Sequence, residues 1–139
     1  MSILNYEIKV NTVMLPMGKF PVVGKRTILK EALEAMTQHG MGIVCITDDN
    51  GHLEGIVTDG DIRRKLLKVQ KPFSAFLIDD ALEHAIKQPL TIHQDELLVN
   101  AVKVMDERKI WDLPVTNGGK LVGMLHLHPA VDYLLNIIS

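Results

Sequence analysis

The chain has 139 residues, 47% of them hydrophobic and 4% aromatic, with 15 Lys and Arg against 17 Asp and Glu for a formal net charge of −2. This is a globular composition able to bury a real core, and it argues against a nucleic-acid binder, which needs a basic face for phosphates and stacking platforms for single strands. A single Cys excludes an internal disulfide framework or a Cys-rich zinc site, and no apolar run approaches the roughly 18 residues needed to cross a bilayer, so the expected setting is the cytoplasm, away from membranes.

The opening Met1-Ser2-Ile3-Leu4-Asn5-Tyr6-Glu7 has neither the basic start nor the apolar core of a signal sequence. Val13-Met14-x-Pro16 follows, then a brief extended piece, Phe20-Pro21-Val22-Val23. Leu29, Ala32, Leu33 and Met36 fall at i, i+3, i+4 and i+7 and predict a helix over Thr27–His39, with Thr27 as its cap and Gly40 as its stop. The apolar run Gly42 to Ile46, the turn Asp49-Asn50-Gly51 and the run Leu53 to Val57 read as two strands joined by a hairpin. A helix from about Asp61 to Val69 comes after Thr58, and Gln70 to Phe76, with Lys71-Pro72, reads as a link. Pro89-Leu90-Thr91-Ile92 is again extended. Leu98, Ala101, Val102 and Met105 predict a helix over Glu96–Arg108, opened by Asp95 or Glu96. The runs Asp112 to Val115 and Leu121 to Leu125, around Asn117-Gly118-Gly119, give a second hairpin ending at His126. The helix after it carries Pro129 near its first position, where a missing N–H does no harm.

These elements come twice. Leu98 follows Leu29 by 69 positions and Gly123 follows Gly55 by 68, and the one-residue difference falls in the Gly-containing turn, where a deletion is cheapest. The expected fold is α/β (α+β): two tandem β-α-β-β-α repeats, residues 1–70 and 71–139, packed sheet to sheet with pseudo-two-fold symmetry, because each is too small to hide its sheet alone.

Val13-Met14-x-Pro16 and Gly55-Ile56-Val57-Thr58-Asp59-Gly60-Asp61-Ile62-Arg63-Arg64 resemble the cystathionine-β-synthase-like (CBS) domain pair, or Bateman module, over nearly the whole chain. Thr58 to Arg64, with Gly123-Met124-Leu125-His126-Leu127-His128, look most like the C-terminal CBS pair of bacterial D-arabinose 5-phosphate isomerases of the Kdo pathway. A CBS pair attached to a sugar nucleotidyltransferase is the alternative. In the isomerases the chemistry belongs to an N-terminal sugar-isomerase domain, so the resemblance implies a regulatory part with no catalytic residue and no cofactor. Its effector would be CMP-Kdo or an adenine nucleotide, bound between the repeats.

The resemblance places Thr58 and Asp61 against a ribose, where a carboxylate can accept from both hydroxyls, and brings Arg63 or Arg64 toward a phosphate. Val22 and Val44 complete that ligand set. The competing reading is that Asp59 and Asp61 merely cap a helix and the arginines form a solvated face. In the second repeat Thr58 corresponds to His126 and Asp61 to Pro129, so the carboxylate is missing. His126 and His128 project to one side if the strand runs through both, and contact a ligand, join a metal that would need a third ligand the sequence does not display nearby, or serve structure alone, the last being the favoured reading. Cys45 reads as a buried strand residue, Met36 and Met105 as core, and Arg63, Arg64, Lys65, Lys68 and Lys71 as a solvated or docking face. Trp111 stacks on a ligand or packs in an interface. The helices Thr27–His39 and Glu96–Arg108 each carry an apolar stripe that favours a homodimer, and a purely structural dimerisation module is the competing function.

Overall fold

The computed structural model describes residues 7–138; Met1 to Tyr6 and Ser139 lie outside them. In chain order the elements are α1 (Val10–Val13), β1 (Leu15–Pro16), β2 (Val22–Gly24), α2 (Leu29–His39), β3 (Ile43–Thr47), β4 (Leu53–Thr58), α3 (Asp59–Lys68) and α4 (Phe73–Leu77). A 3-10 turn (Ala81–His84) leads to β5 (Ile86–Lys87), β6 (Ile92–His93), α5 (Leu98–Arg108), β7 (Asp112–Asn117), β8 (Lys120–His126) and α6 (Leu127–Ile138). Among the described residues no helix is long and apolar enough to cross a membrane.

Residues 18–89 form one compact unit, and residues up to Met17 together with those from Leu90 onward form the other. Each contains a four-stranded mixed sheet, ordered β2-β3-β4-β5 in the first and β1-β8-β7-β6 in the second. The hairpins β3–β4 and β7–β8 are antiparallel, and each is joined by one parallel strand, β2 on β3 and β6 on β7. Leu29, Ala32 and Met36 of α2 pack on Val44, Ile46 and Val57 in one core. Leu98, Ala101 and Met105 of α5 pack on Leu113, Val115 and Leu125 in the other. The i, i+3, i+7 positions are thus the buried ones, as the periodicity predicts, and Cys45 is fully buried in β3. The apolar stripes of α2 and α5 are consumed inside their own units, which corrects the expectation that they are available for a dimer.

The units do not follow the 1–70 and 71–139 partition of the repeats, because each repeat's leading segment pairs with the other repeat's helix. Leu98 N–H donates to Ile8 O at 2.8 Å and Val10 N–H to Glu96 O at 2.9 Å; likewise Leu29 N–H donates to Asp79 O and Ala81 N–H to Thr27 O, both at 2.8 Å. Each pair of bonds satisfies the first N–H of a helix, which otherwise has no intrahelical acceptor. That is why Thr27 does not cap: the N-cap of α2 is Ile28, with no side-chain bond. In α5 the N-cap is Leu97, and the Glu96 carboxylate instead accepts from Leu97 N–H at 2.9 Å and from Asn100 Nδ2 at 3.0 Å.

Gly40 ends α2 in the left-handed conformation, at φ 63°, as expected. Its counterpart Lys109 ends α5 at φ 57° without glycine's freedom. The link is more ordered than its composition suggests: α4 buries Phe76 in the first core. Pro129 is the third residue of α6, still within the turn whose N–H groups lack helical acceptors.

Candidate functional site

The first unit's site is built where β4 runs into α3. Thr58 is the N-cap, its Oγ1 accepting from Asp61 N–H at 3.2 Å and donating to Asp61 Oδ2 at 2.7 Å. The other carboxylate oxygen, Oδ1, accepts from Arg64 Nη2 at 2.6 Å. Gly60 makes room for this fold-back, since a Cβ there would lie 3.3 Å from both Arg64 terminal nitrogens. Asp61 is therefore mostly shielded, its side chain 18% exposed, while Arg64 is 57% exposed and can leave without breaking the core. A carboxylate in this position has its negative charge at the N-terminus of a helix, where the macrodipole favours it.

The cap and the candidate ligand carboxylate are thus the same group. Of the other residues expected here, Val22 is partly exposed on β2, and Arg63 is exposed with no polar partner among the described residues. Val44 has no accessible surface and packs in the core, so its side chain serves packing. A cavity of about 470 Å³ opens beside Asp61, lined also by Arg64, Lys65, Lys68, His84 and Ala85.

His84 sits at 9% exposure, tilted against the Phe76 ring, and donates Nε2–H to Asp79 Oδ2 at 2.8 Å. Lys71 also donates to that oxygen. The Lys71 ammonium first, and then His84, hold the Asp79 carboxyl below the usual carboxylate range. His84 Nδ1 is buried without a hydrogen-bond partner. Neither His84 nor the cavity was legible in the motif, because residues 79–86 read as the start of the second repeat.

In the second unit β8 ends at His126 and α6 begins at Leu127, so His126 and His128 do not share a strand face; His128 is exposed on the helix. His126 instead pairs across the sheet. Asp112 is its register partner, and its Oδ1 accepts from His126 Nδ1 at 2.7 Å. The sequence reading missed this contact: the hairpin register, shifted between Val115 and Thr116, places the two residues opposite each other. Trp111 beside them is 68% exposed.

The CBS domain family matches residues 10–68 and 79–128. Arabinose 5-phosphate isomerase KdsD of Escherichia coli (strain K12) is 32% identical over 121 residues, which cover 87% of this chain and 36% of that protein. The chain therefore spans about a third of the length of this curated relative. Among solved structures, CBSX2 in complex with AMP superimposes with a TM-score of 0.82 at 28% identity, covering 95% of this chain and 99% of that one. CBSX2 from Arabidopsis thaliana gives 0.79 at 27%, covering 94% and 96%. With both hairpins, both helix faces and both family matches in register, the chain belongs to the CBS domain family.

Proposed function

We propose that the chain is a regulatory CBS pair that senses a nucleotide-type ligand at Thr58 and Asp61 and biases an attached enzyme. The arrangement at the end of β4 carries the reading: a carboxylate at a helix start, held by an exposed arginine that a ribose diol can replace. The diol hydroxyls donate to the Asp61 oxygens, and the displaced Arg64 guanidinium turns toward the ligand's phosphate. Occupancy shifts the attached enzyme only as far as the ligand's affinity differs between two states of the whole protein. The likeness to AMP-bound CBSX2 supports an adenine nucleotide. The likeness to KdsD supports a cytoplasmic sugar-phosphate isomerase as the attached enzyme, in the Kdo and lipopolysaccharide pathway, with CMP-Kdo as the end-product effector.

Calorimetry with AMP, ADP, ATP and CMP-Kdo tests this. Asp61→Ala removes a charge-assisted acceptor worth about 1.5–3 kcal/mol, or roughly ten- to a hundredfold in affinity. Thr58→Val weakens binding less, and Pro129→Ala leaves it unchanged. Equal binding by wild type and Asp61→Ala would reduce Asp61 to a helix cap. The purified chain is expected to leave D-arabinose 5-phosphate unchanged, because the resemblance puts the isomerisation chemistry in a separate sugar-isomerase domain; turnover above a no-protein control would contradict the regulatory reading.

A dimerisation role is favoured by one observation: Leu67 on α3 is 81% exposed and Leu66 beside it 42%. Sedimentation at micromolar concentration is expected to give a dimer that Leu67→Glu dissociates, and a wild-type monomer would count against it.

A further inference from the structure

We propose that Asp79, Glu83 and His84 form a binding site for a divalent transition-metal ion of the zinc type, which displaces Lys71 from Asp79. The three residues bring two carboxylate oxygens and one ring nitrogen within 4.8 Å of one another. They stand at i, i+4 and i+5 around the 3-10 turn Ala81–His84, whose entry is pinned by the bonds from Leu29 N–H to Asp79 O and from Ala81 N–H to Thr27 O, both at 2.8 Å. Three protein ligands with a fourth position left to water are a set that zinc accepts. An imidazole among them selects a transition metal over magnesium or calcium, which take oxygen.

The other unit shows that the fold does not require this set. The leading segments correspond at an offset of 71, since the same two backbone bonds recur there from Leu98 N–H to Ile8 O and from Val10 N–H to Glu96 O. Ile8, Thr12 and Val13 therefore stand where the first unit has Asp79, Glu83 and His84. Ile8 and Val13 pack against their core. In the place of that valine, His84 lies at 9% exposure with its ring centroid 4.5 Å from that of Phe76, and its Nδ1 has no hydrogen-bond partner. A buried ring left half unsatisfied costs stability that a valine would not. Its one engaged nitrogen is Nε2, directed at Asp79 Oδ2 and so into the set.

Charge points the same way. Asp79 Oδ2 accepts from the Lys71 ammonium as well as from the His84 ring, so a cation already sits on this carboxylate. Lys71 belongs to the link between α3 and α4, and its side chain, 38% exposed, is free to swing out. Glu83 is exposed, without an ion-pair partner among the described residues, and is free to swing in. Tetrahedral ligands around zinc stand about 3.3 Å apart, so the 2.8 Å separation of Asp79 and His84 has to open only slightly. The ion takes the place of the Nε2 hydrogen, which moves to Nδ1, where no bond is broken by the change. The ligands share no residue with the nucleotide reading at Thr58 and Asp61, so the two readings fail independently.

Calorimetric titration of the full chain with Zn²⁺, in a background of excess Mg²⁺, tests the assignment. Wild type is expected to bind one ion saturably. His84→Val, which copies Val13 of the other unit, is expected to abolish this binding, and Glu83→Gln, at an exposed position, to weaken it at least tenfold. Lys71→Met is expected to tighten it, because the competing ammonium is gone. Absence of saturable Zn²⁺ binding, binding retained in His84→Val, or equal binding by wild type and Glu83→Gln would overturn the proposal; should His84→Val fail to fold, Glu83→Gln alone decides.

Discussion

The two units share a backbone plan and differ in the polar pair at the end of the central hairpin. In one, Thr58 and Asp61 join a hydroxyl to a carboxylate along the chain, three residues apart. In the other, His126 and Asp112 join an imidazole to a carboxylate across the strands, and Pro129 stands where the helix carboxylate would be. Both arrangements keep a part-buried carboxylate hydrogen-bonded, as burial demands. They leave different chemistry exposed: a carboxylate with a removable arginine on one side, a carboxylate locked to an imidazole on the other. Equivalent positions in a duplicated fold thus preserve the hydrogen-bond accounting with different partners.

Variants at matched positions test how far the halves are equivalent. The largest effect on stability is expected at the glycines that let an edge strand lie close. A Cβ on Gly123 would sit 2.9 Å from Leu15 O, and one on Gly55 3.0 Å from Ile86 O, so both press on backbone that cannot rotate away. Gly123→Ala, which also meets Met14, is expected to cost about 1–3 kcal/mol by overpacking, and Gly55→Ala somewhat less; urea denaturation measures both. Equal tolerance of the two substitutions would mean that the edge strands shift freely.

Thr58→Ala is expected next, at about 0.5–2 kcal/mol for a lost N-cap. His126→Ala, which strips Asp112 of its donor, should fall near 1 kcal/mol. If the His126 variant is neutral, the cross-strand pair contributes nothing to stability.

Lys109→Gly should stabilise by about 0.5–1 kcal/mol, because the left-handed conformation is unfavourable for a residue with a Cβ and free for glycine. The same change has no counterpart at Gly40, where glycine already stands. A thermal melt that moves down would refute the strain at Lys109.

The smallest effect is acid-dependent and belongs to the first unit. The Asp79 carboxyl is held below its ordinary value by Lys71 and His84, so the unfolded chain binds the proton more readily. Its stabilising contribution is complete above the ordinary carboxyl range, around pH 4, and is lost as the pH falls through the depressed folded value. Asp79→Asn is expected to flatten that part of the stability profile, and an unchanged acid limb would contradict the assignment.

The repeat, the hairpins and the buried helix faces were legible because period and turn chemistry are local. Leu29, Ala32 and Met36 announce their face without knowledge of the rest of the chain. The exchange of leading segments was not legible, since Ile8, Val10, Asp79 and Ala81 bind through backbone groups that every sequence possesses. Thr58 and Asp61 were legible as a pair through their motif, but Arg64's hold on Asp61 depends on a rotamer. The cavity depends on Ala85 and His84, which approach α3 only after the exchange. Asp112 and His126 were not legible from the turn alone, because a register shift between Val115 and Thr116 moves His126 from opposite Trp111 to opposite Asp112.

The stoichiometry of AMP binding to the full chain tests the central claim most directly, since that claim is the inequality of the two halves. The account predicts one AMP per chain in wild type and a ten- to a hundredfold loss in Asp61→Ala, with Pro129→Ala unaffected. Two equivalent sites per chain, or a single site indifferent to Asp61, would contradict it.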